Sequence, residues 1–506
     1  MKIRPTGFLA AWVVLAFLSP VSGEEPKVKA SADWPQFMGP ARNGVVEGGP
    51  KLLQTWPKEG PKLVWTSDAL PKAPLCGMGM PVVYDGKVYT YAHVHVLMDG
   101  IKPFNKELLE AAGASKSFVP ADLEWMTSMQ EKEVKTHKEF MLLFHAKYGS
   151  SGMYHTGRAV VLNAHAAKVY KDQKYGDVLI CLDAATGKEL WRQTCPGALV
   201  ENAYEIGCSG TPAVADGKVF LRGSGGLHCL DAKDGKVLWH VKGPAGHSSP
   251  VVANGSVYCY VLGDIPTAGR ATPATLAAFD AQTGRELWQQ PKARNGFQTP
   301  ALWINAGKTY VLGADSYKSG DSSTRIYCLE SATGKIVWEA PAEGGKSSPV
   351  VSGDIMVLRS GGCAAYALSP DKAEQLWITP GTGNNNAGTS PVISNGHVYC
   401  VGLSYGTAVV KVYDLKSGKL TMEQNTLGGT VATPAVADGL VFSVVGGKEN
   451  AGLIAFKTTP DKYEEVGRGR AGECAYACST VALANGRLYV RLKEAMACYD
   501  VSEAGK

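Results

Sequence analysis

The sequence predicts an all-β protein, an eight-bladed β-propeller, on three observations. The 506 residues include 59 glycines, and 45% of the residues are hydrophobic while only 19% are charged. That composition excludes a disordered chain, and the glycines lack the three-residue period of collagen. Short apolar segments alternate with turn-forming dipeptides along the chain, which is typical of hairpins. Finally, one pattern recurs every 40 to 50 residues or so, which favours a single closed ring over several domains.

Residues 1–23 form a predicted secretory signal peptide. Two basic residues, Lys2 and Arg4, precede an apolar run over residues 8–18, and small residues follow it. The run is too short to span a bilayer comfortably, and no other stretch approaches the roughly 20 residues of a membrane helix. No cysteine precedes Cys76, which excludes a lipid-modified cysteine at the cleavage site. We therefore expect a periplasmic or secreted protein without a membrane span after cleavage.

The net charge gives no sign of a nucleic-acid partner. The whole chain has a net charge of +5, and the predicted signal removes two basic residues and no acidic one, which leaves +3. A protein of this size that is so close to neutral has no electrostatic footprint for nucleic acid or for an anionic membrane.

The first half of the repeat is an apolar hairpin. Its clearest copy is Pro-Val-Val-Tyr-Asp-Gly-Lys-Val-Tyr over residues 81–89, and Asp-Gly or Asn-Gly between apolar strands is a strong hairpin signal. Eight copies begin at Pro81, Pro212, Pro250, Pro300, Pro349, Pro391, Pro434 and Val481. This count predicts eight blades.

The second half of the repeat ends in a tryptophan. The segment Leu-Asp-Ala-Ala-Thr-Gly-Lys-Glu-Leu-Trp over residues 182–191 recurs with few changes at 230–239, 279–288 and 329–338. Its Thr-Gly-Lys turn predicts a second hairpin, in which the glycine takes a positive φ. Two hairpins make a four-stranded antiparallel sheet, and such sheets bury their faces when they are arranged around an axis.

The N-terminal part of the chain is predicted to close the ring. The eighth copy stops near Val501 without an outer strand, whereas an orphan outer strand, residues 62–66, precedes the first copy. Joining the two leaves no open edge between the last and first blades. The predicted organisation is a signal peptide (1–23), a lead-in segment (24–61) and a propeller (62–503).

The repeat resembles the pyrroloquinoline-quinone-like (PQQ-like) repeat family, whose outer hairpin carries Ala-x-Asp-x-x-Thr-Gly-Lys-x-x-Trp. The resemblance covers residues 34–503, and the opening Asp-Trp-Pro-Gln-Phe-Met-Gly-Pro-Ala-Arg-Asn-Gly over residues 33–44 is similar to exported bacterial members. It implies a propeller in which each tryptophan docks against the neighbouring blade. It does not imply one function, because the family includes quinone-dependent dehydrogenases and non-catalytic scaffolds such as the outer-membrane assembly propeller.

The chain departs from the dehydrogenases of this family in two respects. Those enzymes typically carry two adjacent cysteines that form a disulfide ring over the cofactor, and this sequence has no Cys-Cys dipeptide. They also bind Ca²⁺ through carboxylate and amide oxygens; Glu205, Asp264 and Asn384 to Asn386 offer such oxygens but do not align with the family's motif. We therefore expect no cofactor, with PQQ and Ca²⁺ as the alternative.

An insertion interrupts blade one at residues 97–176, where other blades have a short loop. Loops of this length are usually functional or form a lid. A short helix is predicted over residues 106–112, and apolar residues between Met126 and Phe144 recur at helical spacing after Asp122, a potential helix cap. The loop between the second and third strands lies at the same end as the entry to each inner strand. The insertion is therefore predicted to cap that mouth of the channel.

Histidines are concentrated in and around the insertion, where six of the ten occur. His93 and His95 alternate onto one face of a strand, and with His155 they are candidate ligands of a transition metal. No complete spaced motif such as His-Glu-x-x-His accompanies them. The alternative interpretation is an amphipathic cap whose histidines are solvated or hydrogen-bonded at its edge.

Twelve cysteines in an exported chain invite disulfides. Six of them are interpreted as small buried residues of the strands: Cys181, Cys229, Cys259, Cys328, Cys400 and Cys498. A second group lies beside the inner strands of blades one, two and eight, which are neighbours in a closed ring. It predicts the pairs Cys195–Cys208 and Cys76–Cys474 or Cys76–Cys478, with a thiolate metal site as the alternative.

Residues that lead into the inner strands line one mouth of the predicted channel. Most are Ser or Thr, which we attribute to crowding where the chains converge. Five larger side chains place hydrogen-bond donors around this mouth: His247, Arg294, Gln298, Lys346 and Asn386. A cationic, donor-rich mouth suits an anionic or hydroxylated ligand.

The leading functional hypothesis is a monomeric binding or scaffold module outside the cytoplasm, which presents this mouth to a protein or a glycan. The alternative is a quinone- or metal-dependent oxidoreductase similar to alcohol or sugar dehydrogenases. The glycines show no strand–helix context of a nucleotide fold, and no nucleophile–base pair is recognisable. At this point the sequence does not decide whether the chain is an enzyme.

Overall fold

The chain folds into antiparallel sheets. The computed structural model describes residues 33–70, 79–96, 106–128, 143–144, 146–147, 158, 161–162, 174–197, 210–244, 246–262, 274–295, 297–315, 325–342, 347–359, 362–380, 389–404, 407–425, 430–446, 451–472 and 481–505. The predicted signal peptide lies outside these residues. No helix among the described residues is both long and apolar enough to cross a membrane.

Two strands and three helices stand apart from the regular blade pattern. The strands β1 (Val45–Val46) and β2 (Lys62–Thr66) precede the first blade. The helices α1 (Lys106–Ala111), α2 (Ala114–Ser117) and α3 (Pro120–Ser128) lie within the insertion.

Eight sheets form the blades, and each strand pairs with the next in sequence. From the inner to the outer edge, blade 1 contains β3 (Val82–Tyr84), β4 (Lys87–Val96), β5 (Lys174–Asp183) and β6 (Glu189–Pro196), and blade 2 contains β7 (Ala213–Ala215), β8 (Lys218–Gly223), β9 (Gly226–Asp231) and β10 (Val237–Lys242). Blade 3 contains β11 (Val251–Ala253), β12 (Ser256–Leu262), β13 (Ala274–Asp280) and β14 (Glu286–Asn295), and blade 4 contains β15 (Ala301–Asn305), β16 (Lys308–Asp315), β17 (Arg325–Glu330) and β18 (Ile336–Pro341).

The second half of the ring follows the same order. Blade 5 contains β19 (Val350–Ser352), β20 (Ile355–Arg359), β21 (Cys363–Leu368) and β22 (Ala373–Ile378), and blade 6 contains β23 (Val392–Ser394), β24 (His397–Ser404), β25 (Thr407–Asp414) and β26 (Leu420–Gln424). Blade 7 contains β28 (Ala435–Ala437), β29 (Leu440–Gly446), β30 (Ala451–Lys457) and β31 (Glu465–Gly472), and the short strand β27 (Thr430–Val431) pairs with β29. Blade 8 contains β32 (Ala482–Ala484), β33 (Arg487–Arg491) and β34 (Met496–Asp500).

The blades form a complete ring. Inner strands of neighbouring blades contact one another from blade 4 through blades 8 and 1 to blade 3, and β14 of blade 3 contacts β16 of blade 4. The predicted eight-bladed propeller is therefore confirmed.

The ring is closed by strand β2, as predicted. It pairs antiparallel with β34, so that Lys62 lies opposite Asp500 and Thr66 opposite Ala497. This pairing supplies the outer strand that the eighth copy of the repeat lacks, and it leaves blade 8 with the same four-stranded sheet as its neighbours.

The tryptophan of the repeat joins one blade to the next at six of the eight boundaries, through Trp65, Trp191, Trp239, Trp288, Trp338 and Trp377. In the copy between blades 3 and 4, Trp288 Nε1 donates to the carbonyl oxygen of Ser331 at 2.8 Å. Gly334, at φ 68°, lies against the same indole, where a Cβ atom would come within 2.5 Å of the ring. The turn therefore needs glycine both for its backbone conformation and for the close approach of the ring. The docking that the family resemblance implies is present.

The insertion is partly helical, but the role predicted for Asp122 is wrong. Asp122 lies inside α3 rather than capping it, and it is buried. Its carboxylate lies 3.6 Å from Lys147 Nζ and 3.7 Å from an Arg158 nitrogen, so ion pairs rather than backbone amides hold it. Met126 and Phe144 belong to a small apolar core of the insertion. The position of the insertion over the channel mouth stays a prediction.

Candidate functional site

The two ends of the propeller are built from different connections. We call the end that carries the Asp-Gly and Thr-Gly turns, such as residues 85–86 and 186–187, the turn end. The opposite end carries the loops that enter the inner strands and those between second and third strands, including the insertion, and we call it the loop end. Strand alternation places all turns of one kind at the same end.

The lead-in segment occupies the channel at the turn end. Trp34 exchanges two backbone hydrogen bonds of 2.8 Å with Val83 of β3, and the carbonyl of Pro35 accepts from Val214 of β7 at 2.8 Å. Strand β1 pairs in parallel with β28 of blade 7. Because the free edges of the inner strands face the axis, a segment that bonds to three of them lies inside the channel.

Buried side chains fix this segment in place. Trp34 and Met38 have no solvent-exposed surface, and Met38 packs in the core that contains Val392 of blade 6. At blade 8, Asn485 donates to the Asp33 carboxylate at 3.0 Å. The segment thus touches five consecutive blades, from blade 6 through blade 8 to blade 2. The sequence prediction treated it only as a lead-in.

A belt of hydroxyl groups joins the blades near the axis at the loop end. In each step, the backbone N–H of the residue two positions before an inner strand donates to the side-chain hydroxyl of the equivalent residue in the next blade. The steps are Met80 to Thr211 (3.0 Å), Thr211 to Ser249 (2.9 Å), Ser249 to Thr299 (3.0 Å), Thr299 to Ser348 (2.9 Å), Ser348 to Ser390 (3.1 Å) and Ser390 to Thr433 (3.2 Å). The recurring Ser and Thr residues therefore satisfy buried amides, a reason beyond the crowding expected from sequence.

Three of the five residues predicted to bind a ligand are described, and they differ in exposure. His247 is half-buried, and its ring stacks on Phe297 with centroids 5.2 Å apart and planes within 3°. Arg294 is exposed at the loop end of β14. Gln298 is buried, and its side-chain oxygen accepts from Asn295 Nδ2 at 3.1 Å. Gln298 therefore braces the loop, while His247 and Arg294 lie where a ligand can reach them.

The other two predicted binding residues, Lys346 and Asn386, lie outside the described residues. So do Glu205, Asp264 and Asn384 to Asn386, the oxygens weighed for Ca²⁺. Their assignments stay predictions.

His93 is part of a buried polar cluster between blades 1 and 2. It lies opposite Asp177 in the β4–β5 ladder, and its Nδ1 is 3.0 Å from Asp177 Oδ1, with both side chains fully buried. The other carboxylate oxygen accepts from the backbone N–H of Ser224 at 2.6 Å and from its hydroxyl at 2.9 Å. One carboxylate thus ties two strands of blade 1 to blade 2.

The surroundings of Asp177 favour its ionised form. Burial alone would raise the pKa of this carboxyl, but the hydrogen bond and charge of His93 and the two hydrogen bonds from Ser224 outweigh it and lower the pKa. A buried carboxylate with these partners stabilises the contact between the two blades.

The histidines were also predicted to bind a transition metal, and the described part of the chain adds no further ligand for such a site. Among those residues, no three His, Cys, Asp or Glu side chains lie close enough together to hold a metal ion. The side chain of His95 and all of His155 lie outside the description. The metal site therefore stays a prediction, and His93 is placed as a hydrogen-bond partner of Asp177.

Arg222 is a buried residue at the contact between blades 2 and 3, and sequence reasoning missed it. Its guanidinium is fully buried and donates to four backbone carbonyls, among them Tyr260 of blade 3 at 3.0 Å and Pro244. Arg359 of blade 5 takes the equivalent strand position and donates to the Val401 carbonyl of blade 6 at 3.0 Å. The available signal was an arginine that interrupts an apolar strand, at Leu-Arg-Gly and Leu-Arg-Ser.

The described cysteines are reduced and buried. Eight free thiols occur among these residues, and they include the four at the small-residue position of the repeat: Cys181, Cys229, Cys328 and Cys498. Their predicted role as small buried residues is confirmed. Cys195 is also buried with a free thiol, whereas Cys76, Cys208, Cys474 and Cys478 lie outside the description, so the predicted disulfides stay predictions.

Comparison with known proteins confirms the resemblance to PQQ-like propellers. The family model described as outer membrane protein assembly factor BamB matches residues 145–224, 175–319 and 272–390. The BamB of Shewanella oneidensis is 27% identical over 164 residues, which cover 31% of this chain and 38% of that protein. The polyvinylalcohol dehydrogenase of a Pseudomonas species is 21% identical over 358 residues, covering 54% of this chain and 55% of that protein. The chain thus spans between about two fifths and just over half of these relatives' lengths.

Among solved structures, a europium-containing methanol dehydrogenase shares the fold. The two superpose with a TM-score of 0.55 over 88% of this chain and 86% of that one, at 12% sequence identity. At this identity the likeness extends to the propeller architecture and no further.

Proposed function

We propose that this β-propeller of PQQ-like repeats is an extracytoplasmic binding module that presents its loop end to a protein or a glycan. The observation that carries the proposal is the position of residues 33–46. They occupy the channel at the turn end through hydrogen bonds to three inner strands. A ligand of the channel therefore enters from the loop end. The extracytoplasmic location rests on the predicted signal peptide.

The accessible groups at the loop end define the chemistry of the ligand. The His247 ring lies on Phe297, and Arg294 is exposed nearby in sequence, at the end of the outer strand that leads to the same loop. An aromatic surface and a guanidinium at the same end of the propeller suit carboxylate or hydroxyl groups, since Arg donates in a fixed fork and aromatic faces stack on planar or apolar groups. The belt hydroxyls are engaged between blades and contribute rigidity rather than ligand contacts.

The family match favours a protein as the partner. The matching family model is described as an outer membrane protein assembly factor, and it covers residues 145–390 in overlapping segments. This part of the chain includes blades 2 to 5 and hence both His247 and Arg294.

Site-specific photo-cross-linking tests the proposal. A benzophenone side chain is placed at Arg294 or at His247 of the full-length exported chain, and at Lys233 as the matched control, because Lys233 is exposed at the turn end. The variants are irradiated in envelope preparations of the cells that make the protein. We expect one discrete adduct, protein or glycan, from both loop-end positions and none from Lys233. Adducts from Lys233 alone, or an equal pattern at all three positions, would overturn the proposal.

A second candidate function is a quinone-dependent oxidoreductase, which the match to polyvinylalcohol dehydrogenase over 54% of the chain favours. PQQ with Ca²⁺ would supply hydride or electron acceptance in such an enzyme. The described residues contain no cluster of three acidic, histidine or cysteine ligands. The test is to add PQQ and Ca²⁺ to the purified chain and measure a quinone absorption band after gel filtration, together with dye-linked alcohol oxidation. A retained band with turnover establishes the enzyme, and its absence at stoichiometric PQQ rejects it.

A further inference from the structure

Two thiols from different blades are in contact in the core between blades 5 and 6. The Sγ atoms of Cys363, the first residue of β21, and Cys400, in the middle of β24, are 3.8 Å apart. Both residues are buried and belong to the same apolar cluster. No repeat pattern pairs them, because each lies within a strand of its own blade.

The backbone holds both cysteines firmly. The N–H of Cys363 donates to Thr379 Oγ1 at 2.9 Å, and its carbonyl accepts from the N–H of Thr379 at 2.8 Å. Cys400 lies opposite Lys411 of β25 in the ladder of its own sheet. A disulfide requires the sulfur atoms to approach to about 2.05 Å. We expect rotation of the two side chains to supply the remaining approach from the 3.8 Å at which the sulfur atoms lie.

A guanidinium lies beside the thiol pair. Arg359 is the cross-strand partner of Cys363, and it donates to the carbonyl of Val401, the residue after Cys400, at 3.0 Å. It also donates to Thr389 Oγ1 at 2.6 Å. A fixed cation on the residue opposite Cys363 favours a thiolate, which is the attacking species in thiol–disulfide exchange. The hydrogen bond between the two thiols and, against burial, the charges of Arg359 and Lys411 lower the pKa of Cys400.

We propose that Cys363 and Cys400 form a redox-controlled disulfide that locks blade 5 to blade 6. The oxidant is a low-molecular-weight disulfide, which reaches the buried pair during local opening of the contact between blades 5 and 6. The Cys400 thiolate attacks one sulfur of that molecule, forms a mixed disulfide and releases one small thiol. Cys363, after losing its proton, then attacks the Cys400 sulfur, which forms the protein disulfide and releases the second small thiol. Two protein thiols are oxidised and one small disulfide is reduced to two thiols.

This site is independent of the proposed binding function and acts on the ring itself. The bond would close a loop of the chain that contains the outer half of blade 5 and the inner half of blade 6. Such a cross-link restricts the unfolded chain and stabilises the closed ring. For a single-domain protein of this length, we expect the oxidised form to melt about 2–4 °C above the reduced form.

Peptide mapping of the wild-type protein tests the pairing directly. The folded chain is incubated with oxidised or reduced glutathione, its remaining thiols are alkylated under denaturing conditions, and it is digested with trypsin without reduction. Cleavage after Arg359, Lys372 and Lys411 releases residues 360–372 and 373–411, each with one cysteine. We expect a cross-linked peptide at the summed mass less two hydrogen atoms, only after oxidation. Recovery of both peptides alkylated after oxidation, or their cross-linking to other cysteines, would overturn the proposal.

Serine variants supply a second readout. Cys363→Ser and Cys400→Ser should each reduce the redox-dependent difference in melting temperature by the same amount, about 2–4 °C, whereas Cys328→Ser, a buried thiol in blade 4, should keep the wild-type difference. A difference of wild-type size in Cys400→Ser contradicts the assignment. If either variant fails to fold, the peptide map of the wild type still decides.

Discussion

Neighbouring blades are joined at the rim of the turn end by one contact that recurs, whereas blades 1 and 2 are joined at the loop end by a charged cluster that the repeat does not contain. At the rim, a tryptophan packs on the turn glycine of the next blade, as Trp239 does on Gly284 and Trp288 on Gly334. At the loop end, His93 and Asp177 of blade 1 meet Ser224 of blade 2 in full burial.

The difference separates two ways of stabilising a ring. The recurring contact depends on a short sequence motif, and it buries apolar surface whose contribution is expected to be similar wherever the tryptophan occurs. The charged cluster depends on residues from strands on either side of the insertion and from the next blade. Buried charges are costly unless every partner is present, so this contact is sensitive to single substitutions.

Removing the tryptophan at the turn-end channel should have the largest effect. Trp34→Ala deletes a fully buried indole that packs in the core shared by blades 1, 7 and 8. We expect a loss of about 4 kcal/mol in the free energy of unfolding, measured by urea denaturation. Trp34→Phe, which keeps most of the volume, is the control. A loss below about 1 kcal/mol for Trp34→Ala would show that the lead-in is not part of the cooperative fold.

Asp177→Asn should come next, because it leaves His93 without its charged partner in a buried site. We expect a loss of about 3 kcal/mol in urea denaturation. Asp280→Asn is the matched control, since Asp280 accepts its hydrogen bonds in an exposed turn, at 2.8 Å from Thr283. Equal losses for the two variants would mean that the loop-end cluster is no more sensitive than a repeated turn.

The pH dependence of the Asp177 effect checks the same pair. The pKa of Asp177 is lowered from its usual 3.8 in the folded protein. The stability that Asp177 contributes is therefore fully present above its pKa in the unfolded chain. It is lost as the pH falls through its pKa in the folded protein. The difference between wild type and Asp177→Asn should be constant above about pH 5 and shrink below about pH 4. A difference that grows on acidification would contradict this.

Two glycine substitutions isolate the tryptophan contact. Gly284 and Gly255 both have a φ of 71°, but a Cβ at Gly284 would come within 2.6 Å of Trp239, while at Gly255 nothing lies within 4 Å. Gly255→Ala should therefore cost only the backbone strain, about 1 kcal/mol. Gly284→Ala should cost about 2 kcal/mol more, because the ring must move. Equal thermal denaturation midpoints would show that the contact is dispensable.

The smallest expected effect is on the hydroxyl belt. Thr299→Val keeps the shape of the side chain but removes the acceptor of the Ser249 N–H, at 3.0 Å. A buried amide without a partner should cost about 1–2 kcal/mol in urea denaturation. Thr299→Ser retains the hydroxyl and should stay near wild type. If Thr299→Val leaves the free energy of unfolding unchanged, crowding rather than hydrogen bonding explains the small residues at these positions.

The fold was predictable because its signals are local. The Asp-Gly turns, the Thr-Gly-Lys turns and the docked tryptophans each fall within about ten residues, so counting them gave eight blades and the closure by residues 62–66. The belt was only half predictable. The recurrence of Ser and Thr is visible in sequence, but the direction of each bond depends on how one blade sits beside the next.

The loop-end cluster and the thiol pair were not predictable for the same reason. His93 was recognised as a candidate ligand, yet its partner Asp177 lies beyond the insertion and was interpreted only as the start of a hairpin. Cys363 and Cys400 become neighbours through the packing of two blades, which no periodic pattern specifies. Single contacts between distant segments require the register of the sheets, which the structure supplies.

The pairing of β2 with β34 sets the order in which the protein can be completed. The two strands are about 430 residues apart, and synthesis proceeds at about 5–20 residues per second. Strand β2 therefore waits on the order of 20–90 seconds for its partner. Until then, blade 8 does not exist and blades 1 and 7 have no neighbour on that side. Synthesis of residues 496–500 therefore has to precede closure of the ring, and a chain that stops before them leaves β2 without its partner strand.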